Sequence, residues 1–161
     1  MTEETNLSDK SHKILFRFYS DVLEKWTVET LWSTAVDVER GWYRVDNIPF
    51  YAKSIACDDI VFAQYDADEQ FLTFRDVVQP SGNSTIQIVV MDPGLETKGI
   101  RALFDALGCS SEEFQERYFV IDVPARLLYR PVKSLLDELF ANDSIDYSEA
   151  CLSDKHGSET E

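Results

Sequence analysis

Between residues 13 and 91 the chain repeats in period two, and no other feature restricts its fold as much. A strand sends successive side chains to opposite faces, so apolar residues at every second position mark one buried side. Ile14, Phe16 and Phe18 form such a set. Val28, Thr30, Trp32, Thr34, Val36 and Val38 form a longer one, so the β-branched face, Trp32 included, is expected to be the core-facing one. After a turn at 37–41, Tyr43 and Val45 point one way and Trp42, Arg44 and Asp46 the other, before Asn47 and Pro49 end the strand. Residues 59–65 and 70–79, joined by Asp66-Ala67-Asp68-Glu69, read as an antiparallel hairpin. The turn Pro80-Ser81-Gly82-Asn83 leads into a strand over 84–91, with Ile86, Ile88 and Val90 inward and Thr85 and Gln87 outward. Short strands with tight turns leave no room for the crossovers a parallel sheet needs. This half is predicted to be a strongly bent antiparallel sheet or a partly open small barrel.

The pattern changes after Asp92-Pro93-Gly94. Ile100, Leu103, Phe104 and Leu107 recur at helical spacing, with Gly108 as the stop. Ser110 and Glu113 fit a capping box that would open further helical turns. Residues 118–123 read as a strand, and Pro131 suits the first turn of a last helix with the stripe Val132, Leu135, Leu136, Leu139 and Phe140. The fold class is therefore α+β: a β-rich half over 13–91, then a β-α-β-α half over 92–141 that shares the strand 84–91 and packs its helices on one face. The polar ends, 1–12 and the acidic 142–161, are expected to be disordered.

The composition closes off several functions. His12 and His156 are the two histidines, and both fall in the expected disordered ends, so a histidine base, a Ser-His-Asp set and a Cys/His zinc site have no histidine to use. Cys57, Cys109 and Cys151 are too widely spaced for a zinc motif or a disulfide framework; Cys57 and Cys109 read as small buried residues and Cys151 as exposed. Asp46, Asn47, Asp58, Asp59, Asp76 and Asp92 supply oxygen donors, but their spacing matches no calcium loop, and no metal or cofactor is expected. Ser81-Gly82-Asn83-Ser84-Thr85 has one glycine and no lysine after it, so it reads as a turn rather than a phosphate loop. The net charge of −15 repels nucleic acid and anionic membranes and favours encounter with basic proteins, although solubility alone also explains it. The start Met1-Thr2-Glu3-Glu4-Thr5 lacks a signal peptide's apolar core, no run is long enough to span a membrane, and a cytoplasmic location is expected.

The residues Leu31-Trp32, the run from Tyr43 through Asp46-Asn47-Ile48-Pro49-Phe50 to Ala52, Asp59-Ile60-Val61, and Ser81-Gly82-Asn83-Ser84-Thr85 resemble a bacterial family, the domain of unknown function numbered 4265. The resemblance spans residues 13–140. It implies a bacterial source and agrees with a non-enzymatic reading, but it brings no activity with it.

Two functions from different classes follow. The first is a non-enzymatic protein-binding protein, most specifically an immunity or antitoxin-like protein that blocks a basic toxin domain. Its partner-binding residues are expected to be Trp42, Arg44, Asp46, Asp58 and Asp59, with Trp42 fitting core or interface equally and no catalytic residue assigned. The second is a small-ligand domain or histidine-independent enzyme with its pocket where the two halves meet.

Overall fold

The computed structural model describes residues 11–20 and 23–159. Strands β1 (Ser11–Ser20), β2 (Lys25–Asp37), β3 (Trp42–Val45), β4 (Ile60–Asp66) and β5 (Phe71–Gln79) follow one another in a meander and close into a barrel. An up-and-down path of five strands brings the first and last into the same direction, so closure is parallel, at Leu15 opposite Thr73. Register shifts in the β2–β3 and β4–β5 pairs add the local twist that closing so small a barrel requires. At the β2–β3 turn Gly41 has φ +75°, and a Cβ there would lie 2.9 Å from the Ala63 carbonyl, so no larger residue fits. Ile14, Phe16, Leu31, Tyr43, Val45 and Val61 fill the barrel.

The expected inward face of β2 is reversed. Leu31, Ser33 and Ala35 are buried, whereas Trp32 is 46% exposed and Val28 and Val36 are also outside. Pairing Ile14 with Leu31 and Ala35 with Tyr43 places the odd positions among the barrel's large apolar side chains. Side-chain period alone does not say which face is in, and a one-residue difference in register inverts it.

The second sheet has the order β7-β8-β6-β9, all antiparallel, built from β6 (Ser84–Val90), β7 (Ser110–Gln115), β8 (Tyr118–Val123) and β9 (Ile145–Cys151). Helices α1 (Thr97–Asp105) and α2 (Arg130–Ala141) cover one face, placing Ile100, Phe104, Val132 and Leu136 on Ile86, Ile88, Phe119, Ile121 and Ile145. Pro131 lies in the first turn of α2, and Gly108 (φ +100°) ends α1's turn. The expected capping box at Ser110 and Glu113 is not formed. Gly108 turns the chain back so that Ser110 lies opposite Asp122, and ladder hydrogen bonds replace the local cap.

The ends also differ from expectation. Ser11 and His12 belong to β1, where the His12 ring meets the Tyr43 ring edge-on at 5.4 Å, while residues 1–10 and 160–161 lie outside the described residues. The expected disordered tail instead supplies β9 and α3 (Asp154–Ser158). His156 of α3 is fully buried, and its Nε2 lies 3.1 Å from the Leu127 carbonyl, which can only accept. Nε2 therefore carries the proton, and Nδ1 accepts from the Ser84 hydroxyl at 2.6 Å. Ser84 Oγ in turn accepts from Ser153 N, so one buried histidine fastens the C-terminal segment to β6. Its apolar residues, Ile145, Tyr147, Ala150 and Leu152, are few and unevenly spaced, and their partners are distant in sequence, which is why period analysis does not find it.

The other face of the second sheet is covered by the irregular segment 46–59 from the barrel. Thr85 Oγ1 donates to the Ile55 carbonyl, Gln87 Nε2 and the Tyr118 hydroxyl donate to the Phe50 carbonyl, and Ser54 N donates to the Ala150 carbonyl. Within the segment, Glu29 of β2 accepts from three consecutive amides: Phe50 N at 2.7 Å on Oε2, and Tyr51 N at 3.1 Å and Ala52 N at 2.9 Å on Oε1. Glu29→Ala leaves those amides without their acceptor, and we expect a loss of about 2–4 kcal/mol of unfolding free energy, with Glu29→Gln losing less because one amide oxygen remains. Urea unfolding followed by tryptophan fluorescence measures both.

Candidate functional site

β3 is held between β2 and β4, so its alternate residues are committed to opposite sides. Tyr43 and Val45 enter the core, and Trp42 and Arg44 face out. Trp42 is half-buried beneath the Arg40 guanidinium, 4.9 Å from its ring centroid. Arg44 Nε is 3.4 Å from Asp46 Oδ1 and 3.9 Å from Asp58 Oδ1, and Asp46 Oδ2 accepts from the Thr34 hydroxyl at 2.6 Å. Four of the five residues expected to bind a partner therefore meet on one face.

Asp59 does not join them. It is 3% exposed, and its carboxylate accepts from Ala56 N at 3.0 Å and Ser81 N at 2.8 Å. Burial raises its pKa while those two bonds hold it down. Asp59 is a staple between the 46–59 segment and the turn before β6, and a partner cannot reach it. The Ser81–Thr85 stretch serves the same joint: the Ser81 hydroxyl and Asn83 Nδ2 both donate to the Cys57 carbonyl, and Asn83 Oδ1 accepts from Ala125 N.

Beside Asp58 opens a polar cleft of about 370 Å³ lined by Asn83, Asp105, Cys109, Asp122 and Arg126 among others. Asp122 comes from β8, is 7% exposed, and has a buried Oδ1 without a hydrogen-bond partner. Burial first, then the charges of Asp58 and Asp59, push its carboxyl up to about 7, with Arg126 opposing. The sequence did hold a sign of it: one acidic residue inside the apolar strand Tyr118–Val123. Asp105 and Cys109 gave none, since only the return of the chain after α1 brings them here.

Burial also governs the thiols. Cys57 and Cys109 are pushed up to about 12 and Cys151 to about 11, so all three stay protonated at neutral pH. Cys151, expected to be exposed, is half-buried in β9 because its segment is a strand. His156 and Ser84 form a serine–histidine pair, but both are fully buried and closed to a substrate. Among the described residues no three of His, Cys, Asp or Glu are grouped to hold a metal ion, and no helix is long and apolar enough to cross a membrane.

Two other surface features stand out. The outward face of β2 exposes Trp26 (66%), Val28, Trp32 and Val36, with Tyr19 of β1 packed edge-on against Trp26 at 6.0 Å. Where the barrel meets the second sheet, Phe18, Leu23, Tyr51, Val89, Tyr118 and Tyr147 line a groove of about 410 Å³ with a mostly apolar wall.

Comparison with known proteins gives two findings. The family model described as "Domain of unknown function (DUF4265)" matches residues 29–147. A solved structure titled "Novel crystal structure of a hypothetical protein from Neisseria gonorrhoeae" is similar at 25% identity with a TM-score of 0.77, covering 89% of this chain and 96% of that one. No curated protein matches.

The cleft makes stability depend on pH. Asp122 has an ordinary carboxylate pKa of 3.8 when unfolded and about 7 when folded, so between those values the folded state holds the extra proton. Its contribution is fully present below pH 3.8 and is lost as pH rises toward 7. Asp122→Asn removes that loss. Relative to wild type it should gain stability progressively from pH 4 to 7, by on the order of a few kcal/mol, and stay level above. Urea unfolding of both proteins across that range measures the difference.

Proposed function

Since the chain belongs to the DUF4265 family, whose description assigns no activity, we propose from its surface that it is a non-enzymatic protein-binding protein whose partner is a basic protein. The observation that carries this reading is the outward face of β2. Trp26, Val28, Trp32 and Val36 repeat on one side of a strand, roughly 30 Å of apolar surface at the usual rise per residue. Large aromatic residues in such a row anchor interfaces, and the barrel's own core is complete without them.

Charge supports the choice of partner. Several cations around this face are already engaged: Arg17 with Glu69, Arg40 with Asp37, Arg44 with Asp46 and Asp58, and Lys13 over the Trp32 ring at 5.1 Å. The overall charge of −15 is then free to steer a basic partner, raising its rate of encounter. The most specific form of this function is an immunity or antitoxin-like protein that occludes a toxin domain in the cytoplasm.

A second reading rests on the groove between the two halves. Its wall includes the stacked rings of Tyr51 and Tyr118, 5.4 Å apart, and it suits a small apolar ligand. A mass shift under native conditions, lost in Tyr118→Ala, is the result that would favour it.

The test of the first reading compares wild type with a Trp26→Ser/Trp32→Ser variant as bait in lysate of the source organism, followed by binary reconstitution with the purified partner. Wild type should retain a basic protein that the variant loses, the association rate should fall with salt, and stoichiometric addition should block the partner's activity. Equal retention by both baits, or an association rate indifferent to salt, would sink it.

A further inference from the structure

We propose that the cleft holding Asp122 is a binding site for a cationic side chain, an arginine guanidinium or a lysine ammonium, carried by the partner protein. The proposal deepens the function above and rests on it for the source of the cation.

Three carboxylates from separate elements line the cleft: Asp58 from the turn before β4, Asp105 from the end of α1, and Asp122 from β8. Two are exposed at its mouth, and Asp122 lies beneath with its Oδ1 buried and unpartnered. Elsewhere in this protein inward-facing carboxylates are met by donors, Glu29 by three amides and Asp59 by two. An acceptor left without a donor is costly, and more so when it is charged. Asn83 does not supply the missing donor: its Nδ2 hydrogens go to the Cys57 carbonyl at 3.0 Å and to Asp58 Oδ2 at 3.5 Å, and its Oδ1 accepts from Ala125 N at 2.8 Å. Arg126 is exposed and contributes one positive charge against those of Asp58 and Asp105, to which Asp122 adds its own as it loses its proton near pH 7.

The ligand's chemistry follows from what lines the site. The Cys109 thiol is held protonated, so the cleft offers no thiolate at neutral pH. The described residues group no three donors for a metal ion, which leaves an organic cation. A volume of about 370 Å³ admits a guanidinium or ammonium with part of its alkyl arm. Carboxylates arriving from different directions suit a group with several donors, as both have. The same Asp58 also touches Arg44, so the cleft opens onto the face that carries Trp42, Arg44 and Asp46.

The test uses the full chain and four probes: N-acetylarginine amide, N-acetyllysine amide, spermidine, and the neutral N-acetylnorleucine amide. Carbon-13 resonances of the Asp122 and Asp58 carboxyl groups are followed during titration. We expect saturable shifts with one or both cationic amides and none with the norleucine amide. Asp122→Asn should weaken binding at least about tenfold. Asp58→Asn, which suits the left-handed backbone there (φ +70°), should weaken it less. The Trp26→Ser/Trp32→Ser variant should keep probe binding even where it loses the protein partner, so failure of the docking face and failure of the cleft give different results. Equal shifts with the norleucine amide, or affinity unchanged in Asp122→Asn, would overturn the site. Binding of spermidine without either amide would overturn the partner's side chain as the source and assign the cleft to a free polyamine.

Discussion

A buried stretch of irregular backbone must find hydrogen-bond partners that no ladder provides, and here two carboxylates meet that demand. Residues 46–59 leave the barrel, cross the open face of the second sheet and return, with Ala52, Ile55 and Ala56 buried beneath them. Glu29 accepts three of the segment's amides, and Asp59 ties its far end to the turn before β6. These bonds allow one chain segment to serve as the covering layer of a sheet it does not belong to. The barrel and the helix-covered sheet are thereby joined through backbone carbonyls as well as through apolar contact.

This arrangement explains what the residues of the family resemblance do. Asp59, Ser81, Asn83, Ser84 and Thr85 all bond to backbone or to a buried side chain at the joint. Their polarity suggests a reactive site, but their positions make them fastenings. The surface chemistry lies to the side, where Trp42, Arg44, Asp46 and Asp58 meet the acidic cleft, and around the barrel on the outward row of β2.

Period and turn chemistry made most of the architecture legible. The hairpin of β4 and β5, the helix stop at Gly108 and the start of α2 near Pro131 each have a local cause, and local causes are what a sequence displays. What stayed hidden depended on pairing at a distance. Trp32 reads as core from its neighbours in the chain and is outside because of what β2 meets across the sheet. The strand at Ser110–Gln115 exists because β8 is there to receive it. His156 looks like part of a polar tail until Ser84, 72 residues earlier, is placed beside it. Asp58 and Asp59 carry the same charge in the sequence, and only the fold separates them, Asp58 exposed and Asp59 buried, because burial leaves no mark on a single residue.

The parallel meeting of β1 and β5 has a consequence for how this molecule shares a crowded solution. A row of tryptophan and valine on a strand is the kind of surface that draws other chains into cross-β stacking, provided the strand's own N–H and C=O groups are within reach. The barrel's circuit is complete. Within it β2 is laddered to β1 over Lys25–Thr34 and to β3 only from Ser33 to Asp37, with Trp32 N and O bonded to Asn47 and Asp46, so those groups are spent around Trp32 and Val36, while Lys25–Leu31 meets β3 at no residue. A molecule that recognises the row must read side chains alone along its Trp32–Val36 half, and there the protein keeps a sticky face without offering a template for its own polymer.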